Sequence, residues 1–432
     1  MQGSIWKETS LPSFPTLQGE EHTDVLIIGG GLCGVLCAYY LKEAGVDCLL
    51  LEAGRIGQGV SGNTTGKVTW LHGLKYASLL QKNGREAAQM YLAAGKEALG
   101  EYARLATLYD FDFERRSACT YSMQNRDGIE AEAIALRALG ERAEFSSCAE
   151  LPFKTAGGIR VEGQGQLHIM KLLGSLTKGL PIFENSRVVD ITPYGALTLR
   201  GLVRAKSIIV ATHFPFVDRY GAFFLKQYQH RSYVLALQGA PKMRGMYVDE
   251  SDTGLSFRPY GEQLLFGGGG HRTGKKGGGF AQMEHLAKKY FPQAKISASW
   301  ATQDCMSLDS VAYIGNYSPK TPNLYVATGF NKWGMTSSMT AALILRDRIL
   351  GKAREYAPVF SPSRSMLHPQ LLVNGLETLK NMLVPKTRRC SHLGCALHYN
   401  KAEHSWDCAC HGSRFDEQGR VLDNPANKDT DI

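Results

Sequence analysis

No run of 18 apolar residues occurs in this 432-residue sequence, and its opening, MQGSIWKETSLPSFPTLQGEE, lacks a basic stretch leading into an apolar one. The first absence argues against an integral membrane segment and the second against a secretory leader, so the chain is expected in the cytoplasm. Repeats and low-complexity tracts are missing as well, which argues against fibrous or disordered material. There is also no block of like charge. The net charge of +9 comes from lysines and arginines scattered among carboxylates, a distribution that argues against a nucleic-acid partner. With 44% hydrophobic and 21% charged residues, the composition is that of a globular chain long enough for two or three packed units.

Cysteine, by contrast, is plentiful. Ten cysteines in a chain expected to be cytosolic point to metal or redox chemistry ahead of structural disulfides, and four of them fall between Cys390 and Cys410.

Residues 24–28 (DVLII) read as a buried parallel strand, 33–44 as a helix ended by Gly45, and 46–51 (VDCLLL) as a second buried strand, giving a βαβ unit and an α/β fold. SIIVAT at 207–212 and NLYVAT at 323–328 repeat the buried-strand pattern, so the chain is expected to return twice to one sheet. Residues 84–139 have helical spacing. Short β-prone runs at 231–237, 246–250, 255–258 and 263–266 predict an antiparallel sheet in a substrate lobe. The expected organisation is a discontinuous Rossmann-like nucleotide domain (1–83, 151–215 and 301–360) with an inserted α+β substrate domain (84–150 and 216–300). An amphipathic connector (361–389) then leads to a small C-terminal segment (390–432).

Directly after the first strand comes Gly29-x-Gly31-x-x-Gly34, with Glu52 at the end of the next strand. Gly29 permits the tight turn, Gly31 lets backbone approach a pyrophosphate, Gly34 allows close helix packing, and the helix N-terminus offers N–H groups to the anion. Glu52 can accept from ribose hydroxyls and disfavours a 2′-phosphate.

Together with three further motifs, this fingerprint resembles the D-amino-acid oxidase and glycine oxidase family of flavoproteins. The motifs are SGNTTGKVT at 61–69, SIIVAT, and GFNKWGMT at 329–336 before a late helix. The resemblance covers roughly residues 22–350 and implies FAD as cofactor. It also implies that Ser61, Thr64, Thr65 and Lys67 lie along the pyrophosphate and flavin, and that Gly329, Gly334 and Thr336 form the flavin-facing start of the late helix. A helix N-terminus there would stabilise the negative charge of a reduced flavin. Val188 matches the position whose backbone contacts adenine, and reads equally as a plain strand valine. Cys305, in the stretch that resembles the family's flavin-side segment, is a candidate for covalent attachment.

Near the C-terminus, Cys390-x-His392 and Cys408-x-x-His411 supply two thiolates and two imidazoles. That set suits a Rieske-type 2Fe-2S cluster, in which thiolates hold one iron and neutral histidines the other. It also suits a structural zinc ion. The surrounding HLGC and CHGSRF resemble Rieske proteins, and the resemblance implies a disulfide between Cys395 and Cys410. His398 and His404 read as polar loop residues. A complete Rieske domain carries several strands before its first ligand box, whereas LVPKTRR precedes Cys390 here, so the segment reads as N-terminally truncated. It has four Lys and Arg against seven Asp and Glu, a net of −3 on a body of +12, which suits intramolecular docking.

The expected enzyme oxidises a small amine, amino acid or related acid by hydride transfer to FAD. It then passes electrons singly through the cluster to an external one-electron acceptor, a ferredoxin-like protein or a quinone. Arg258 and Arg272 are the candidate cations for a substrate carboxylate, each equally readable as structural, and Lys332 is the candidate beside the flavin ring. The alternative is an oxygen-using flavin oxidase with a zinc-stabilised interaction tail.

Overall fold

The computed structural model describes residues 3–251, 254–385 and 387–432. Strand Gly19–Ile28 pairs in parallel with Cys48–Leu51 on one side and Gly201–Val210 on the other, and Leu324–Thr328 extends the sheet. The chain thus returns twice to this sheet. Val25, Ile27, Leu50 and Ile209 on one face pack beneath helices Leu32–Glu43 and Gly334–Ile349. Leu26, Ile28, Leu49 and Val210 on the other face pack against the hairpin Val188–Thr192 and Gly195–Thr198. Burial on both faces is why these strands read as unbroken apolar runs.

A second sheet of nine strands orders Lys295–Ser307, Gln227–Gln238, Gln263–Arg272, Ser256–Tyr260, Met246–Asp249, Glu114–Ser122, Gly157–Gln166 and Lys67–Val68, with Glu144–Ser146 on the side. Three of these strands and part of a fourth depart from expectation: Lys67–Val68 and residues 301–307 of Lys295–Ser307 belong to stretches expected in the nucleotide domain yet pair in this sheet. Glu114–Ser122 interrupts the stretch read as helical, and Gly157–Gln166 joins this sheet rather than the nucleotide sheet. ERRSACTYS and GGIRVEGQGQ mix charge and glycine with few apolar positions, so neither shows a strand period. The long helix Lys75–Leu108 starts before Gly84, where the backbone leaves helical geometry (φ 83°).

The connector forms helix Pro369–Leu383. A four-stranded antiparallel sheet follows, made by Leu397–Asn400, Ser405–Cys408, Arg414–Phe415 and Val421–Asp423. Its core holds only Cys390, Cys395, Leu397, Cys408, Cys410, Phe415 and Ala426, four of them cysteines, which is too little apolar area to hold the segment by itself. Its adhesion to the body is ionic and close-packed. Glu403 accepts from Arg231 Nε of the body at 2.9 Å, and within the segment Arg414 buttresses it at 2.9 Å while reaching Asp407 and Asp423 at 3.0 Å each. A Cβ on Gly274 would lie 2.4 Å from Ala409 N, and one on Gly412 2.4 Å from Gln229 Cβ, so only glycine lets the two backbones meet. Among the described residues, no helix is long and apolar enough to cross a membrane.

Candidate functional site

A cavity of roughly 1090 Å³ opens at the C-terminal ends of the parallel strands, lined there by Ile28, Leu51 and Ala211. Gly29, Gly31, Glu52, Ser61, Thr64, Thr65, Lys67, Val188, Lys332 and Gly334 all line it. Gly29 turns with φ 112°, and a Cβ there would sit 2.6 Å from Ala211 O. Gly34 lies outside the cavity and acts by packing, since its Cβ would fall 1.9 Å from Gly29 O. Glu52 Oε2 and Oε1 accept from the Gly30 and Gly54 amides at 2.6 and 2.7 Å. Burial raises its carboxyl and those amides partly offset the rise. Two of the carboxylate's roughly four lone-pair sites remain for hydroxyl donors. Ser61 Oγ accepts from Leu32 N at 2.8 Å, so this serine satisfies part of the helix N-terminus itself.

Thr336 lies outside the cavity wall. Its hydroxyl donates to Thr69 O at 3.1 Å and meets His72 Nε2 at 2.9 Å, which fixes the late helix against residues 69–72. Gly329, with φ 69°, shapes the turn before that helix. Cys305 also faces away. Its neighbours Asp304 and Met306 line the cavity, while its thiol sits 3.7 Å from Thr328 Oγ1 and burial pushes it up to about 12, a geometry that offers no covalent link to a cavity ligand.

Neither candidate arginine is free to meet a substrate. Arg258 is fully buried, donates to Gln166 Oε1 at 3.2 Å, Thr65 O at 2.5 Å and Leu167 O at 3.0 Å, and lies over Trp6. Arg272 donates to Ala409 O, Cys410 O and Asn374 Oδ1, each at 3.0 Å, clamping the C-terminal loop to the body. With Arg55, Lys75, Lys82, Arg187 and Lys332, Lys67 is one of several cations that line the cavity. Its Nζ donates to Thr65 Oγ1 at 3.1 Å and Ser256 Oγ at 3.4 Å, and burial, with help from Arg258, brings it down to about 7. Among the described residues no carboxylate forms an ion pair with it.

At the other site, Cys390 and Cys408 are both buried and close enough for their thiols to perturb each other. The rings of His392 and His411 stand 5.0 Å apart at 90°. His392 Nδ1 and both nitrogens of His411 are buried without a hydrogen-bond partner, and burial lowers His411 to about 3, keeping it neutral. Orphaned imidazole nitrogens facing a thiol pair fit a metal centre. Among the described residues, no three of the four candidate ligand atoms lie within 4.8 Å of one another. Ligands of a single zinc, each roughly 2.0–2.3 Å from the ion, would crowd closer than that, so the spread suits two irons. Cys395, Cys408 and Cys410 do cluster, but Cys395 and Cys410 are joined as a disulfide. His398 bonds Asn381, and His404 bonds Tyr399 and Glu417, so both are polar loop residues. Sequence reasoning missed Asp218, whose carboxylate lies 2.8 Å from His392 Nε2; nothing local in VDRY marks it.

Comparison with known proteins matches residues 24–348 to the FAD dependent oxidoreductase family model and 363–432 to the Rieske [2Fe-2S] domain. The chain belongs to the FAD-dependent oxidoreductase family. It is 32% identical to the putative Rieske 2Fe-2S iron-sulfur protein YhfW of Bacillus subtilis (strain 168), over 98% of this chain and 96% of that protein. It is 25% identical to the gamma-glutamylputrescine oxidoreductase of Escherichia coli (strain K12), over 79% and 87%. Its fold matches glycine oxidase from Geobacillus kaustophilus with a TM-score of 0.66 at 22% identity, over 80% of this chain and all of that one.

This FAD-dependent oxidoreductase therefore carries FAD and a Rieske-type 2Fe-2S cluster, and the zinc alternative is set aside. The two sites share a wall. On strand Lys295–Ser307, Thr302, Asp304 and Met306 line the flavin cavity, while Gln303 faces the opposite way and donates to Gly412 O at 2.9 Å. Gln229 on the neighbouring strand donates to His411 O at 3.1 Å. His213 also lines the cavity, and the adjacent Phe214 packs edge-on against His411, ring centroids 6.4 Å apart. The C-terminal segment reaches back over the nucleotide end, where Asn427 Nδ2 donates to Val188 O at 2.8 Å.

For the enzyme's flavin site, Gly31→Val is expected to yield folded protein without retained flavin, because its Cβ already meets Ser61 Oγ at 3.1 Å and larger groups would fill the pyrophosphate approach. Flavin absorbance of the purified variant checks this. Stoichiometric FAD in Gly31→Val would place the pyrophosphate elsewhere.

Proposed function

We propose that this enzyme oxidises a small amine, amino acid or related acid in the cavity and delivers the electrons singly, through the cluster, to an external one-electron acceptor, a ferredoxin-like protein or a quinone. The observation that carries the reading is the shared wall, one strand thick, between the flavin cavity and the ligand His411. Bound FAD supplies two-electron hydride acceptance and the cluster single-electron transfer. The names of the similar proteins, an oxidoreductase of an amine and an oxidase of glycine, favour a substrate oxidised at a carbon bearing nitrogen.

The chain's own residues divide the remaining work. Lys67 replaces Arg258 and Arg272 as the cation for a substrate carboxylate, and it binds best when protonated. Arg258 holds Thr65 O and so fixes the loop that carries Lys67. Asn331 bonds Ser307 and Gly329, locking the turn that presents Lys332 to the cavity. The Arg272 clamp and the Gln229–Gln303 pair keep the cluster loop on the sheet.

The test is anaerobic stopped-flow with a reducing substrate, or photoreduction of the flavin, read at flavin and cluster wavelengths. In wild type, flavin reoxidation is expected to coincide with cluster reduction, and in Cys408→Ser reduced flavin should persist. If the two signals never coincide in wild type, the cluster is not the electron outlet.

A further inference from the structure

The connector helix Pro369–Leu383 is docked with its polar side inward. Asn374 and Asn381 are buried. Asn374 accepts from Arg272 and donates to Leu225 O, while Asn381 bonds His398 Nε2 at 2.9 Å and its carbonyl accepts from Ala396 N at 3.0 Å. These bonds fix the helix in rotation. Its apolar side therefore faces out: Leu372 is 72% exposed, Leu376 68%, Leu379 56% and Leu383 71%. The spacing i, i+4, i+7, i+11 makes them one narrow ridge. Leu367, at 93%, continues it beyond the helix start.

An exposed leucine ridge of this length marks an interaction surface, and its charge decides the partner. The one acid of the helix, Glu377, is turned away and paired with Lys275 at 2.5 Å. Lys380 is exposed at the margin of the ridge. Just beyond its end Arg388 is exposed with its guanidinium over Trp406, and Arg389 is exposed while donating to Met382 O, Gly394 O and Val384 O. We infer that the connector helix lies flat on an anionic lipid bilayer, its leucines in the acyl boundary and Lys380 against the headgroups, with the positive charges of Arg388 and Arg389 close beside it. A convex ridge needs no complementary groove in a bilayer. A second copy seated on it by two-fold symmetry would bring the same cations together. The inference stands apart from the proposed reaction, and it sets the cluster segment at the bilayer surface, because the same helix carries the contacts to Ala396 and His398.

The experiment is flotation of the full-chain holoprotein with vesicles of phosphatidylglycerol and phosphatidylcholine, and with phosphatidylcholine alone, at low and high salt. Light scattering on the same protein without lipid runs alongside. Binding is expected to the anionic vesicles and to fall at high salt. Leu376→Glu with Leu379→Glu should lower the bound fraction at least about tenfold, since placing charge in the apolar boundary costs several times the thermal energy. Lys380→Glu should weaken binding only to the anionic vesicles. These side chains lie in solvent, so unchanged flavin absorbance reports that the fold survives. Wild-type protein that stays in the aqueous fraction with anionic vesicles overturns the inference. So does a dimer that the paired glutamate substitution dissociates, since a second copy then covers the ridge.

Discussion

Glu403→Gln is expected to unseat the C-terminal segment, at a cost of about 3–5 kcal/mol, the range for removing one partner of a buried ion pair. The amide keeps the shape of the side chain but leaves Arg231 and Arg414 buried beside a neutral group. Arg414 retains Asp407 and Asp423, whereas the nearest remaining carboxylate of Arg231 is Asp423 at 3.9 Å. Burial raises the Glu403 carboxyl, but Arg231 and Arg414 outweigh it and hold the group at about 2, against 4.5 for a free glutamate. A carboxyl depressed by folding stabilises above its unfolded value, so the contribution is whole above pH 4.5 and is lost as pH falls towards about 2. Limited proteolysis of the connector, followed against pH, should show the wild-type segment loosening over that window and the Gln variant already loose above it. A variant as resistant as wild type would show that the segment is held by something else.

Lys67→Met is expected to stabilise the apoprotein while abolishing tight binding of a carboxylate substrate. Burial brings this ammonium from 10.5 down to about 7. At about 1.36 kcal/mol per unit, that difference corresponds to a penalty of up to about 5 kcal/mol, less whatever cavity water returns. Because folding lowers the value, the penalty is full below about pH 7 and fades as pH rises towards 10.5. Apoprotein stability should therefore climb across that range in wild type and stay flat in Lys67→Met. Substrate affinity should run the opposite way, falling above about pH 7 as Lys67 loses its proton, and the variant should be weak at every pH. Thermal unfolding of apoprotein and substrate titration of the flavin spectrum check the two halves. Equal carboxylate affinity in both proteins would move the substrate cation elsewhere.

The parts of this molecule legible in its sequence are those whose physics is local. GxGxxG with Glu52 spans one βαβ unit, and the two ligand boxes are each a loop. Side-chain direction on the second sheet was not legible. SFRPY offers an arginine to either face, and only pairing with Gln263–Arg272 turns Arg258 inward among carbonyls. Strands Glu114–Ser122 and Gly157–Gln166 lack period two because their burial comes from both sides and from glycine packing. The ionic network joins residues 231, 403, 414 and 423, and no window of sequence contains that arrangement. The connector sequence is amphipathic and forms helix Pro369–Leu383, but amphipathicity alone does not say which side turns inward. Here buried asparagines reverse the usual sense.

Asn424 and Asn427 reach from the cluster segment to Thr212 O, Phe214 O and Val188 O at the rim of the nucleotide cavity. The C-terminal segment is thereby tied to the strand end and the hairpin that border the cavity, so a change that lifts the segment also uncovers the nucleotide rim.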